Sequence, residues 1–492
     1  MTPRTAFCGI DVGTQGVRAV LVDEEGRELA TGAAAIPPGH RAGERHEQDP
    51  ATWWAALCVA TRAACGAVPD VRVAALALDA TSGTVLPLDG DGRPRGPALM
   101  YDDGRATAEG ERAQRAGAAL WAELGYRVQP SWALPKVLWL QEHTSPVRVV
   151  HQADHLVGLL AGRPVATDTS TALKTGVDLR VAAWPVDVFA ELGIQPGLLP
   201  EVVLPGTVLG EVCARSADAT GLPVGTPIRA GMTDGCAAQI ASGALASGRW
   251  ASALGTTLVV KGSTAELVRD PAGVVYSHRH PDGGWLPGGA SSTGAGALRA
   301  AFPDATPADL DRLTAEAAAL VRAPGVSYPL VGRGERFPFR APTAEGFLDP
   351  EAVTPAERFA AVCQGIALAE RLAFDVLRVL GAAVSGPVAL TGGATGNRWW
   401  NQLRADALGR PTVTLTSAGA ATGMAVLAAA EPGQLTATAE RMVTTAERYE
   451  VDPDRSGALA GSYVSTVTEL VDRGWLDQTM GARVLTLGPV AA

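Results

Sequence analysis

Lysine is almost missing from this chain. Only Lys136, Lys174 and Lys261 occur in 492 residues, and arginine supplies the rest of the 41 basic side chains. Acidic residues number 51, and the formal net charge of −10 argues against nucleic acid or an anionic membrane as the main partner. That balance leaves room for a local phosphate site built from backbone N–H groups. Cysteine is sparse too. Cys8, Cys58, Cys65, Cys213, Cys236 and Cys363 form no C-x-x-C pair and no histidine cluster accompanies them. This speaks against a zinc site or a disulfide framework and fits a reducing cytoplasm. No apolar run reaches membrane-spanning length, and "MTPRTAFCGIDVG" has no apolar h-region before its Gly/Asp turn, so neither a spanning segment nor a signal peptide is expected. Three motifs are absent as well. The G-x-x-x-x-G-K-[ST] loop is missing, which excludes a P-loop enzyme. The glycine loop, H-R-D and D-F-G set of a protein kinase is missing. "TGGATG" at 391–396 does not meet G-x-G-x-x-G, so a dinucleotide loop is a poor reading.

What is present is a globular composition, 47% apolar and 19% charged, over a length that calls for two or more domains. Residues 6–22 read as strand, tight turn and strand, closed by "DEEG". In "QDPATWWAALCVATRAACG" Asp49 suits a helix N-cap and Pro50 the first helical position. "VRVAALALD", 71–79, is a buried strand ending on a second carboxylate, Asp79. Strands alternating with helices predict an α/β domain. A second strand–turn–strand lies in "GRWASALGTTLVVKG", 248–262, whose Gly255-Thr256-Thr257 echoes Gly13-Thr14, so the chain is expected to hold two related halves. Apolar residues at Phe359, Val362, Ile366, Ala369, Ala373, Val376 and Leu380 mark one packed helix face. "GPVALTGGATGNRWWNQLRADALGRPTVTL" then reads as strand, glycine turn, helix and strand. The domain boundary is expected near 242–247, within "SGALASG".

The residues that could carry chemistry start with Asp11. A charged carboxylate in an apolar strand is costly unless something pairs with it, and a magnesium ion or a reacting hydroxyl would do so. Gly13 lets the backbone come close, while Thr14 and the turn N–H groups can donate to phosphate oxygens. Read alone, the same residues also suit an ordinary hairpin in which Asp11 caps its own turn. Asp234, in "RAGMTDGCAAQIASGAL", can take a proton from a substrate hydroxyl or simply cap a helix.

Taken together, these segments resemble the FGGY carbohydrate kinase family over nearly the whole chain. "GIDVGTQGVRAVLVDEEG" looks like its first phosphate hairpin and "SALGTTLVVKG" its second. "SWALPKVLWLQE" resembles a family signature, with Ala133 where Pro, Ser or Thr is usual. "LTGGATGNRWWNQLRADALGRP" looks like the adenosine segment and "CQGIALAERLAFDVL" the helix before it. The resemblance implies an α/β, two-lobed actin-like ATPase fold (a duplicated ribonuclease H-like unit) with an interdomain cleft. It implies an N-terminal lobe over 1–243, a C-terminal lobe over 244–473 and an extension over 474–492. It further implies ATP and Mg2+, with Asp234 as catalytic base and Asp11 on the metal and near the reacting hydroxyl. Gly13, Thr14, Gly255, Thr256 and Thr257 would cradle phosphates. Gly392, Gly393 and Asn397 would let adenosine approach, with Trp400 as a wall for the base or a core aromatic.

For the sugar, "DATSGT" at 79–84 stands where xylulokinases place Met-His-Gly, and the pattern is most similar to the D-ribulose kinase branch. Asp79, Thr81 and Ser82 would grip a polyol, Ser82 most directly, although local side-chain bonds in a turn explain them equally well. "YDDGRA" replaces a usual tryptophan with Tyr101. Asp103 and Arg105 are expected to pair with each other, and Lys136 to be structural. The implied activity is transfer of phosphate from ATP to the terminal hydroxyl of a ketopentose, D-ribulose first. D-xylulose, L-ribulose or a polyol are the alternatives, and a silent sugar or nucleotide sensor is a further one. No nucleic acid or membrane partner is expected, a homodimer is compatible with the sequence, and the location is expected to be cytoplasmic.

Overall fold

A computed structural model describes residues 4–487; residues 488–492 of the expected C-terminal extension lie outside the described residues. The chain divides into two compact units. The first comprises residues 1–243, His278–Gly284 and Ser417–Thr444, and the second Ala244–Ser277, Trp285–Thr416 and residues 445–492. Two segments that fall late in the sequence, 278–284 and 417–444, therefore group with the N-terminal residues, and local pattern gives no sign of it.

Unit one is built on β1 (Arg4–Val12), β2 (Gly16–Val22), β3 (Glu28–Ala35), β4 (Val71–Ala80), β5 (Val208–Glu211) and β6 (Pro227–Arg229), in the order β5-β6-β4-β1-β2-β3. β1 runs antiparallel to β2 and parallel to β4. Alternate residues of β1 face opposite ways. Cys8, Ile10 and Val12 join the core that holds Trp53, Leu57, Ala60 and Ala64 of helix α1 (Pro50–Ala67). α1 starts as expected, with the Asp49 carboxylate accepting from the Ala51 N–H at 2.9 Å and Pro50 in the first turn. Gly9 faces the other way, toward the helix Ala420–Ala429. A Cβ on Gly9 would lie 1.7 Å from the Ala421 carbonyl oxygen, so only glycine permits that approach. A separate sheet joins His40–Ala42, Arg45–Gln48, Ala98–Leu99, Val85–Leu88 and Arg148–His151.

Unit two repeats the plan. The sheet it carries has strands β7 (Trp250–Leu254), β8 (Leu258–Gly262), β9 (Tyr276–Arg279, of which only Tyr276 and Ser277 fall in this unit), β10 (Trp285–Ala290), β11 (Val388–Thr391), β12 (Thr412–Leu415) and β13 (Thr445–Tyr449), in the order β9-β10-β8-β7-β11-β12-β13. β7 is antiparallel to β8 and parallel to β11, and β11 is parallel to β12, which ends on an antiparallel neighbour. Unit one has the same sequence of relations in β1, β2, β4, β6 and β5. The two halves anticipated from one shared turn are thus related along whole sheets.

Helix α3 (Pro355–Val379) is capped by Thr354, whose hydroxyl accepts from the Glu357 N–H, while the Glu357 carboxylate accepts from the Thr354 N–H at 2.9 Å. Phe359, Val362, Ile366, Ala369, Ala373 and Val376 are buried as their spacing predicts. Ala360, Cys363, Ala367 and Phe374 between them are buried too, so α3 is enclosed on more than one face. Within that core lies one full ion pair. Glu370 of α3 meets Arg404 of α4 (Arg398–Leu408) at 2.7 and 2.9 Å, and Arg404 also donates to the Ser252 hydroxyl on β7 at 3.0 Å. Both side chains are wholly buried. Together they tie two helices to the strand that leads into the second Gly-Thr turn. Residues 478–486 of the expected extension form a helix whose Val484 packs into the same core.

Removing one member of a buried, bidentate pair leaves the other charge uncompensated. Glu370→Ala should lower the unfolding free energy by about 3–5 kcal/mol, read from urea unfolding curves. A loss under about 1 kcal/mol would mean that Arg404 finds compensation elsewhere.

Candidate active site

Strand register brings the first two carboxylates together. Asp11 on β1 lies beside Asp79 on the parallel strand β4 and opposite Arg18 on β2. The third arrives through a backbone squeeze. A Cβ on Gly231 would sit 1.8 Å from the Leu78 carbonyl oxygen, and Thr233 bridges to Ala80. The chain is therefore pressed onto β4 just before helix α2 (Asp234–Ala241) begins. Thr233 holds the N-cap position and Asp234 the first helical one, so capping is not the role of Asp234. Its side chain is exposed, one oxygen accepting only from the adjacent Gly235 N–H at 2.7 Å. Thr233 in turn is held by Ser170, whose hydroxyl bonds the Thr233 N–H at 3.2 Å and His278 Nδ1 at 3.0 Å.

The three carboxyls differ in burial. Asp79 is completely buried, and neither of its oxygens receives an N–H or O–H donor among the described residues. Desolvation pushes its pKa well above the carboxylate range, reinforced by the charges of Asp11 and Asp234. The neighbouring Asp11 carboxyl adds to that rise. Burial also raises Asp11, opposed by the bond from Asp79 and by Arg18. The cluster thus opens two carboxyl groups to a ligand, the half-buried Asp11 and the exposed Asp234, rather than three.

Asp79 is a correction to the expected polyol grip: a side chain with no exposure has no face for a sugar. Thr81 is committed as well, its hydroxyl bonding Gln152 Oε1 at 2.7 Å and Thr84 at 2.6 Å. Of the three residues only Ser82 is half-exposed with a hydroxyl that makes no bond among the described residues. Lys174, which the sequence reading left without a role, donates to the Ser82 carbonyl at 3.0 Å. Gly83, at φ +99°, makes room for the Lys174 stem. Asp103 and Arg105 pair as expected, at 2.7 and 2.9 Å, and Arg105 adds Glu47 at 2.6 Å. Tyr101 is exposed beside them.

The first Gly-Thr turn is closed by the Gly13 N–H on the Gly16 carbonyl at 3.0 Å. The second is closed by the Gly255 N–H on the Thr257 carbonyl at 3.1 Å. Behind the second turn, the N–H groups of Ala295 and Gly296 hold the carbonyls of Gly255 and Thr256, at 2.9 and 3.1 Å. The N–H groups of Thr256 and Thr257 donate to nothing among the described residues. Such a turn presents donors to an anion.

In the expected adenosine segment, Gly392 is required by its φ of +88° and by a Leu254 carbonyl oxygen 2.5 Å from where its Cβ would be. Gly392 and Gly393 are exposed, and nothing crowds Gly393. Asn397 spends its side chain on structure: its oxygen caps α4 at the Trp400 N–H, 3.0 Å, and its nitrogen donates to Thr314 at 2.9 Å. Trp400 is 3% exposed and its indole N–H donates to the Cys363 carbonyl. It is a core aromatic, which corrects its expected use as a wall for the base: a ring enclosed on both faces cannot stack on a ligand. Among the described residues no group of three or more His, Cys, Asp or Glu is arranged to hold a metal ion, and no helix is long and apolar enough to cross a membrane.

Comparison with known proteins gives the family and the fold. The N-terminal domain of the FGGY family of carbohydrate kinases matches residues 6–241, and the C-terminal domain of that family matches residues 250–431. A xylulose kinase of Streptomyces rubiginosus is 31% identical over 95% of this chain and 97% of its own. An apulose kinase of Pectobacterium atrosepticum is 28% identical over 82% of this chain and 85% of its own. Among solved structures, a xylulose kinase from Rhodospirillum rubrum aligns with a TM-score of 0.84 at 26% identity, covering 95% of this chain and 99% of that one. The fold is the two-domain, mixed α/β actin-like ATPase fold.

One buried cation near this region titrates in an accessible range. Lys136 is wholly buried with its ammonium on the Met100 carbonyl at 2.7 Å. Burial, helped by the charge of Lys174 and opposed by Asp103 and Asp102, lowers its pKa to about 7. An unfolded lysine titrates near 10.4, so between those values the unfolded chain binds more protons and the Lys136 contribution to stability rises with pH. Lys136→Met removes the cost of a buried charge. Its Tm relative to the parent should be most favourable at pH 6.5 and fall steadily toward pH 9. A Tm difference that does not change with pH would refute this account.

Proposed function

Because the chain belongs to the FGGY family of carbohydrate kinases, and so is a phosphotransferase with a sugar hydroxyl as acceptor, we propose that it moves the γ-phosphoryl group of ATP to the terminal hydroxyl of a ketopentose, D-ribulose first. The observation that carries the reading is the acidic cluster. Asp11 and the buried Asp79 lie in register on paired strands, with Asp234 near enough for its charge to act on both, on the same unit as a Gly-Thr turn with free N–H groups.

Phosphoryl transfer asks a protein chiefly for alignment and charge stabilisation. Asp234, exposed at the first turn of α2, accepts the proton of the attacking hydroxyl. Asp11 would hold the magnesium ion. Magnesium uses one or two protein carboxylates and fills its remaining positions with phosphate oxygens and water, so the lack of a three-residue ligand cluster is no obstacle and the half-buried Asp11 fits. When bound, the ion neutralises charge on the phosphates. On unit one the N–H groups of the Gly13–Gly16 turn donate to phosphate oxygens; unit two, by itself, offers the same kind of donors at Gly255–Thr257 and exposed backbone at Gly392 and Gly393 for adenosine. Ser82 offers its free hydroxyl to the sugar, backed by Lys174 on its carbonyl.

D-ribulose is favoured by Asp79-Ala80-Thr81-Ser82, which departs from the Met-His-Gly element expected of xylulokinases. D-xylulose is the second reading, favoured by the names of the relatives above. The two sugars differ at one carbon, and a single hydrogen bond can separate such substrates by orders of magnitude.

ADP release should be measured with Mg-ATP across D-ribulose, D-xylulose, L-ribulose, L-xylulose, ribitol and glycerol, with a no-sugar control. The expected result is the highest kcat/KM for D-ribulose. A preference for D-xylulose would keep the mechanism and discard the reading of residues 79–82. Asp234→Asn should lose about 10²–10⁴-fold in kcat while sugar still binds; turnover near the parent level would remove Asp234 from its role. Ser82→Ala should raise KM for the sugar far more than KM for ATP, and an equal rise in both would point to a general folding defect.

A further inference from the structure

We propose that Gln48 is a positioning residue for the first phosphate turn, acting by locking the Thr14–Gln15 peptide so that its N–H faces the nucleotide. The inference rests on the kinase reading above and adds a residue to it.

Gln48 closes the strand Arg45–Gln48, pairs with Ala98 and immediately precedes Asp49, the N-cap of α1. It is 4% exposed. Its side-chain oxygen accepts the indole N–H of Trp53 at 2.7 Å, and its nitrogen donates to the Thr14 carbonyl at 2.9 Å. An indole N–H can only donate, so the fully buried Trp53 permits one orientation of the Gln48 amide. The amide nitrogen must then face Thr14.

A trans peptide is planar, and its C=O and N–H point opposite ways. Holding the Thr14 carbonyl against Gln48 therefore turns the Gln15 N–H away from it. That N–H donates to nothing among the described residues, and Gln15 is exposed. The other side of the turn is held by the Ile36 N–H on the Gln15 carbonyl at 2.9 Å. In the second turn the same task, holding carbonyls from behind so that N–H groups face outward, is done by the backbone of Ala295 and Gly296. In the first it is done by one side chain, which makes it accessible to substitution.

The ligand class that reads this peptide is a nucleoside polyphosphate, since the free group is an N–H donor on a turn. The test compares ATP with adenosine, which lacks the phosphates, by calorimetry on the full chain with Mg2+. Gln48→Met fills the space without a donor. Gln48→Glu keeps an acceptor for Trp53 but turns a carboxylate toward the Thr14 carbonyl. Both should weaken ATP binding roughly 10-fold, the size of one charge-assisted hydrogen bond, and leave adenosine binding within about twofold of the parent. Trp53→Phe, which frees the amide to flip, should give a smaller loss confined to ATP; if the Gln48 variants do not melt cooperatively, it carries the test alone. Unchanged ATP affinity in folded variants, or equal weakening of ATP and adenosine, would overturn the proposal. A parent chain that binds adenosine and ATP equally and releases no ADP with any sugar would instead remove the kinase reading on which it rests.

Discussion

Two carboxyl groups side by side in a dry place cannot both be charged, and the chemistry of unit one follows from that constraint. Parallel pairing of β1 and β4 puts Asp11 and Asp79 in register. Burial then raises the pKa of both, Asp79 the further, and the charge of Asp234 adds to each rise. Were both ionised, repulsion and desolvation would oppose the strand pairing itself. The result is a site whose buried member, Asp79, is the one most opposed to ionisation, with the open carboxyls of Asp11 and Asp234 toward its exposed side.

The glycines explain how that cluster is reached. Gly9 admits the helix Ala420–Ala429 against β1, and Gly231 admits the segment before α2 against β4. At each the missing Cβ would fall within 2 Å of a carbonyl oxygen, so no other residue allows the approach. These contacts set where Asp234 emerges relative to Asp79. The Gly-Thr turns use a related economy. Their carbonyls are engaged from behind, which leaves the N–H groups unpaired at the surface, a cost that an anionic ligand offsets.

Buried charge elsewhere serves structure. Arg404 and Glu370 join α3, α4 and β7 beneath the second turn, and Lys136 fastens α-helical residues to the Met100 carbonyl. Lys174 does similar work for the Ser82 carbonyl while remaining half-exposed. Two of the three lysines in the chain therefore brace the loops that carry Ser82 and Tyr101, and their rarity in the sequence gave no hint of which loops they would hold.

Local rules were enough for much of this molecule. The Asp49-Pro50 start of α1, the two strand–turn–strand units, the 3.6-residue spacing of α3 and the strand–turn–helix around Gly392 are all short-range patterns, governed by backbone sterics and capping chemistry that neighbours in sequence supply. The family motifs, too, are contiguous. What adjacent residues cannot specify is desolvation and partnership, because both depend on chain brought in from far away. Asp79 looked like a sugar ligand until β1 closed over it. Trp400 looked like a wall for a base until α3 covered it and took its N–H. Nothing local marks Gln48, whose two amide atoms are claimed by Thr14 and Trp53 only in the fold. Sequence alone determined which groups could do chemistry. Tertiary structure decided which of them were left with a charge, a free donor or an open face, since only packing removes the water that would otherwise make every polar group equivalent.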